Sequence, residues 1–181
     1  MYTIGFLELS SIAQGIEVTD KILKAAETEL IFAREGCPGK FYILFKGEVE
    51  SVNTSMKTGV EASKHYCIDS TVIPNVHPDV IKGINSVSEP KSGEAVGVME
   101  FFSVAAAVKA ADTAVKSAAV SIMNLRIGTG IGGKSFVVIS GDIGALKSAL
   151  RAVSGEEELQ GSIINAVAIA SPASELMKHL Y

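Results

Sequence analysis

The chain has 181 residues and a net charge of −4, with 48% apolar and 20% charged side chains. That balance supports a packed core and excludes wholesale disorder. The acidic sign, with no Lys/Arg-rich run and no Trp, excludes a general nucleic-acid binder. At this length one large domain or two of about 90 residues are both open. The opening residues, Met1 to Gly5, lack the basic and apolar regions of a secretory signal. The richest apolar stretch, residues 95–108, carries Glu100 and falls short of the roughly 18 apolar residues of a membrane span. A soluble, intracellular protein with no membrane attachment is expected, so Cys37 and Cys67 are not read as a disulfide.

Taken in order, the elements come twice. Residues 4–26 align with 96–118 at a constant offset, placing Gly5 on Gly97, Glu8 on Glu100, Ser11 on Ser103, Asp20 on Asp112 and Lys24 on Lys116. After a two-residue insertion, Gly36, Gly39, Lys40 and Gly47 meet Gly130, Gly133, Lys134 and Gly141. Each copy opens with a β run (3–9; 95–101). A helix with a Ser cap follows, its apolar stripe read as Ile12, Ile16, Thr19, Leu23, Ala26 and as Val104, Val108, Ala111, Val115, Ala118. Next come a strand (30–34; 122–126), a Gly-rich loop and a second strand (41–45; 136–140). A helix carrying Val49, Val52, Met56 and Val60, or Ile143, Leu146, Leu150 and Val153, precedes a last strand (67–73; 163–169). A short helix begun by Pro78 or Pro172 closes each copy. This β-α-β-β-α-β order predicts an α/β (α+β) protein of two tandem ferredoxin-like domains. The expected boundaries are 1–86 and 95–181, with residues 87–94, polar and holding Pro and Gly, as a linker.

Residues 128–135, Gly-Thr-Gly-Ile-Gly-Gly-Lys-Ser, match the phosphate-binding loop pattern letter for letter. That loop needs a helix starting at the Lys-Ser, and here a β-branched strand follows, so nucleotide binding is rejected. Cys67 opens an apolar strand and reads as a small buried hydrophobe. His65, His77 and His179 share no metal-ligand spacing with either Cys. Lys40 and Lys134 follow the two Gly-rich loops; a positive rim attracting anions is one reading, and a solvated lysine is the default. Glu8 and Glu100 are explained by repeat symmetry and form no acid/base pair. No catalytic constellation assembles, and no enzyme is expected.

Both copies resemble bacterial microcompartment shell domains. The likeness is carried by the strand ending in Glu (4–8; 96–100), the Ala-Ala-Asp-x-x-x-Lys-x-Ala helix (110–118), the Gly-rich loop, and Gly-Asp-Ile-Gly-Ala at 141–145. It covers nearly the whole chain. Two fused copies resemble the tandem-domain, trimer-forming class, which implies a homotrimer shaped as a pseudo-hexameric tile in the shell of a compartment in the bacterial cytoplasm, assembled with other shell proteins. The loops Gly36, Cys37, Pro38, Gly39, Lys40 and Gly130, Ile131, Gly132, Gly133, Lys134 would line its central pore. The segments 35–40 and 73–78 look like those of propanediol-utilising compartments. That likeness implies a [4Fe–4S] cluster at the three-fold axis, bound by one Cys37 per chain, for electron transfer across the shell to a lumenal or cytosolic redox partner. Tile-edge positions fall on Lys24, Lys116 and His77. The edge motif departs from the family at Asn75, where Arg is expected, and at 168–171. A metal-free metabolite pore, or a regulatory small-molecule-binding protein of paired ferredoxin-like domains, are the alternatives.

Overall fold

The computed structural model describes residues 2–85, 95–128 and 130–180, so the expected linker at 87–94 lies outside the described residues. The chain divides into two compact units. The first holds Met1–Val76 together with Ser103–Ala105 and Gly128–Gly133; the second holds His77–Phe102, Ala106–Ile127 and Lys134–Tyr181.

In the first unit the order is β1 (Thr3–Leu9), α1 (Ile12–Ala25), β2 (Thr28–Gly36), β3 (Lys40–Gly47), α2 (Val49–Ser63), a 3-10 turn (Lys64–Tyr66) and β4 (Cys67–Ile73). The sheet order is β2-β3-β1-β4 with every neighbouring pair antiparallel, which is the ferredoxin-like arrangement expected from the sequence. Strand alternation sends Leu7, Leu9, Phe41, Ile43 and Phe45 to one face, where they pack with Val18 and Ile22 of α1 and Val52 and Met56 of α2. The opposite face carries Phe6, whose ring lies 6.1 Å from Tyr42 and 6.3 Å from Phe32.

The buried face of α1 differs from the expected stripe. Gly15, Val18, Thr19 and Ile22 are buried, while Ile12, Ile16 and Leu23 are 42%, 60% and 38% exposed. Close packing explains the shift. A Cβ on Gly15 would stand 2.5 Å from Cγ of Phe41, and one on Gly59 of α2 2.8 Å from Cδ1 of Ile22. The smallest residues therefore mark the contact, and counting only large apolar residues selects the wrong side of the helix. Ser11 caps α1 as expected, accepting from the Gln14 amide at 3.3 Å.

The second unit contains α3 (Pro78–Asn85), β5 (Ala95–Phe101), α4 (Val104–Ser117, apart from its first two residues), β6 (Val120–Ile127), β7 (Ser135–Gly141), α5 (Ile143–Ser154), a 3-10 turn (Glu157–Leu159), β8 (Ile163–Ile169) and α6 (Ser174–Met177). Its sheet order, β6-β7-β5-β8, repeats the first. Even the irregularities repeat: register shifts between Glu8 and Leu9 and between Leu30 and Phe32 recur between Glu100 and Phe101 and between Ile122 and Asn124. Helix α3 begins at Pro78 as expected and rests on β6, where a Cβ on Gly83 would meet Cγ2 of Ile122 at 2.9 Å. The corresponding α6 begins at Ser174, two residues beyond the expected Pro172, and Met177 and Leu180 pack against Val96, Met123 and Val138.

Candidate functional site

Strands β2 and β3 run into a short turn at their shared end, closed by the Gly39 amide donating to the Gly36 carbonyl at 2.9 Å. Cys37 and Pro38 form its tip, joined by a cis peptide bond, and the Cys37 thiol is half-buried. Tyr42 of β3 braces the turn by donating its hydroxyl to the Cys37 carbonyl at 3.4 Å. Burial, with the neighbouring Glu8 and Cys37, raises that phenol well above its ordinary range and keeps it a neutral donor.

The other Gly-rich loop belongs to the same unit. Gly133, at φ +80, lies so close that a Cβ would stand 2.8 Å from both the Cys37 carbonyl oxygen and Cδ of Pro38. Only a glycine fits there, on conformation and on space. The Gly133 carbonyl accepts from the Lys40 ammonium at 3.1 Å. The structure thus brings together the loop of Gly36, Cys37, Pro38, Gly39 and Lys40 and the loop of Gly130, Ile131, Gly132 and Gly133. Lys134 lies in the other unit, where it pairs with Glu100 at 3.1 Å. The segment after it is the strand β7, which removes the helix N-terminus a phosphate-binding loop requires.

Two of the sequence readings are corrected here. Lys40 is no solvated rim lysine: it is 16% exposed and bound to Glu8 at 2.6 Å as well as to Gly133. Glu8, passed over as a mere product of duplication, is the organising residue of this region. Its side chain is fully buried, one oxygen on Lys40 and the other accepting from the amide of Val104, the first residue of α4, at 2.8 Å. A carboxylate there meets both an ammonium and the positive end of a helix. Desolvation pushes the Glu8 carboxyl above its usual range; Lys40 and the Val104 amide pull it part of the way back. Asp69, beside Glu8 in the sheet register, accepts from the Ser103 hydroxyl. A Glu at the end of a strand that is buried on every side was the available signal, since such a residue demands partners.

The remaining site readings fall elsewhere. Cys67 packs against the first core but is half-buried rather than sealed in it; burial, with Asp69 and Glu8 nearby, raises its thiol. His65 stacks on Tyr66 at 4.0 Å. His77 and Lys116 are tied through Asp112, which accepts from the His77 amide at 2.8 Å and pairs with Lys116 at 2.5 Å. Lys24 pairs with Asp20 at 2.7 Å on an exposed face.

One chain supplies a single thiol at the loop, and among the described residues no three His, Cys, Asp or Glu side chains converge on one point. An iron–sulfur cluster asks for about four thiolates. Cys37 suits such a group only if other copies bring theirs to the same place.

A two-layer ferredoxin-like unit occurring twice, with its Gly-rich loops gathered at one end of the first sheet, matches a known family. The BMC domain model matches residues 3–76 and again 95–172, and the chain belongs to that family. It is a structural shell protein of a bacterial microcompartment, with two such domains in tandem, and not an enzyme. Among its relatives, the bacterial microcompartment shell protein PduT of Citrobacter freundii is 34% identical over 177 residues, 98% of this chain and 96% of that one. The carboxysome shell protein CsoS1C of Halothiobacillus neapolitanus is 28% identical over 80 residues, 42% of this chain and 82% of the relative. A microcompartment protein from Desulfitobacterium hafniense superposes with a TM-score of 0.85 at 39% identity, covering 98% of this chain and 99% of its own. A fused permuted hexameric shell protein from the RMM microcompartment shares the fold, with a TM-score of 0.64 at 21% identity over 83% of this chain and 81% of that one. No helix among the described residues is long and apolar enough to cross a membrane.

Proposed function

We propose that the chain forms a homotrimeric, pseudo-hexameric tile that assembles with other shell proteins, its six domains drawn from residues 1–86 and 95–181 of three copies. The paired Gly-rich loops surround a central pore, and one Cys37 from each copy holds a [4Fe–4S] cluster there. The carrying observation is the half-buried Cys37 thiol at the tip of a braced turn, packed against the second Gly-rich loop. Three-fold symmetry multiplies one thiolate into three, leaving one iron to an outside ligand. When bound, such a cluster supplies one-electron transfer, here across the shell toward a redox partner. Lys24, Lys116 and His77 take part at the tile edge.

Protein purified without oxygen should be brown and trimeric by light scattering. Cys37→Ser should remove the broad visible absorption and the reduced-state EPR signal while leaving the molar mass unchanged. A trimer that stays colourless and iron-free after reconstitution sinks the cluster and leaves a metal-free metabolite pore. A discrete ligand cleft with no trimer or flat array in electron micrographs would instead favour a regulatory binding protein.

A further inference from the structure

Tyr42 occupies a notch that two glycines leave open for it. The side chain is 1% exposed. A Cβ on Gly36, the last residue of β2, would stand 2.8 Å from Cζ of the ring, and one on Gly128 2.6 Å from the same atom. Gly128 also holds φ at +62, so a side chain there would be strained as well as obstructed. Phe6 adds a third neighbour, its ring 6.1 Å away. The phenol is thereby confined, with its hydroxyl 3.4 Å from the Cys37 carbonyl. Gly133 lies against the same oxygen, which is 2.8 Å from where that residue's Cβ would stand.

The duplication supplies a comparison within the chain. In the first sheet Tyr42 stands opposite Glu8 and Arg34; in the second, Phe136 stands opposite Glu100 and Arg126. The two aromatic residues hold one position of the repeat and differ by a hydroxyl alone. The copy without the hydroxyl also has no cysteine in its Gly-rich loop. Sheet packing at this position needs only a ring, which Phe136 provides while partly buried against Val96, Met123 and Val138. The Tyr42 oxygen therefore serves something other than packing. A buried phenol oxygen is costly without a partner, and here the partner is the backbone of the cysteine.

Holding the Cys37 carbonyl fixes rotation about the Cα–C bond of that residue, one of the two soft backbone torsions it has. The direction in which Cβ and the sulfur leave the turn is fixed with it. At 3.4 Å the hydrogen bond is longer than the usual O–H···O range; its effect comes from acting through a ring with little room to move. We propose that Tyr42 is the positioning residue of the Cys37 turn, aiming the thiol so that one thiolate from each copy meets the others at a single point. The proposal rests on the cluster reading given above and adds the residue that orients its ligand. Symmetry makes the aim matter more, because an error in one turn is repeated in all three.

Tyr42→Phe removes the oxygen and leaves the ring, making the first repeat like the second. In trimer prepared without oxygen, the iron chelator bathophenanthroline disulfonate should bleach this variant about tenfold faster than the wild type or more, as losing a group that orients a metal ligand does. The reduced-state EPR signal should broaden as the thiolates take several directions. In apo protein carrying Cys67→Ser, iodoacetamide at fixed pH should alkylate Cys37 about fivefold faster once Tyr42 is Phe, the worth of one neutral hydrogen bond. Gly128→Ala, which crowds the phenol while keeping it, should move all three readouts the same way, with far-UV circular dichroism as the check on folding. Phe136→Leu is the control for general packing: it should lower the thermal midpoint and leave the three readouts unchanged. Wild-type behaviour in Tyr42→Phe, or equal acceleration in Phe136→Leu, overturns the positioning role and leaves the cluster standing. A wild type that stays colourless after reconstitution overturns the cluster instead, and the alkylation rates still uphold or overturn the hold of Tyr42 on the turn.

Discussion

Glu8 links two segments of the first unit that lie far apart in the chain, Lys40 and Val104. It is fully buried, and its two oxygens join Lys40 and the start of α4. Replacing Lys40 by Met leaves that carboxylate buried without its cation, which should cost about 3–5 kcal/mol in denaturant unfolding near neutral pH. The same burial sets a pH dependence. Desolvation holds the Glu8 proton in the folded chain at pH values where the unfolded chain has released it. The stability this residue contributes is therefore fullest below the ordinary glutamate range and is lost as pH rises through its raised folded-state value. Glu8→Gln does not titrate. Over the pH interval above the ordinary glutamate range, the unfolding free energy of the wild type should fall relative to that variant, then level off once Glu8 is ionised in the folded chain as well. Lys40→Met should steepen the fall, because Lys40 is what lowers the Glu8 value. A difference that stays flat over that interval would show that Glu8 is not titrating from a desolvated site.

Elements followed the sequence closely where periodicity and caps agreed. Both opening strands and both closing strands begin and end where alternation and turn residues place them, and Ser11 caps α1. What went astray was which side of α1 is buried. Apolar residues occupy more than half its circumference, so the 3.6-residue pattern alone does not choose between Ile12/Ile16/Leu23 and Val18/Ile22. The choice is made by Gly15, whose missing side chain lets α1 sit on Phe41, and a one-dimensional count of hydrophobes gives glycine no weight. Gly15→Ala tests this directly. Its methyl group would press on the Phe41 ring, and overpacking of that kind costs about 1–3 kcal/mol despite the better helix propensity of alanine. A lowered midpoint in urea with unchanged slope is the expected result. An unchanged or raised midpoint would mean that propensity outweighs the contact and that α1 is held less closely than its geometry implies.

At the scale of the whole molecule, duplication was the most legible property of all, down to matched Gly, Glu, Asp and Lys positions. The site was legible in part: the Cys-Pro-Gly turn stands out in the sequence, but its packing against Gly133 joins residues nearly a hundred positions apart, and no local pattern encodes that pairing. Lys40 illustrates the same limit, because its carboxylate partner lies 32 positions upstream on a neighbouring strand. One consequence of the proposed trimer follows from stoichiometry alone. If each copy gives one thiolate and the cluster needs all three, iron retention depends on the cube of the fraction of intact chains. Wild-type chains coexpressed with a differently tagged Cys37→Ser chain should assemble at random, since the substitution exchanges one small loop side chain for another of nearly the same size. At equal amounts only ~1/8 of the trimers would carry three thiolates, so iron per trimer should fall to about one-eighth of the wild-type value. Iron that instead falls to about half, in proportion to the wild-type chains, would mean that each chain binds its metal alone. That outcome would remove the three-fold axis from the cluster's chemistry while leaving the shell tile intact.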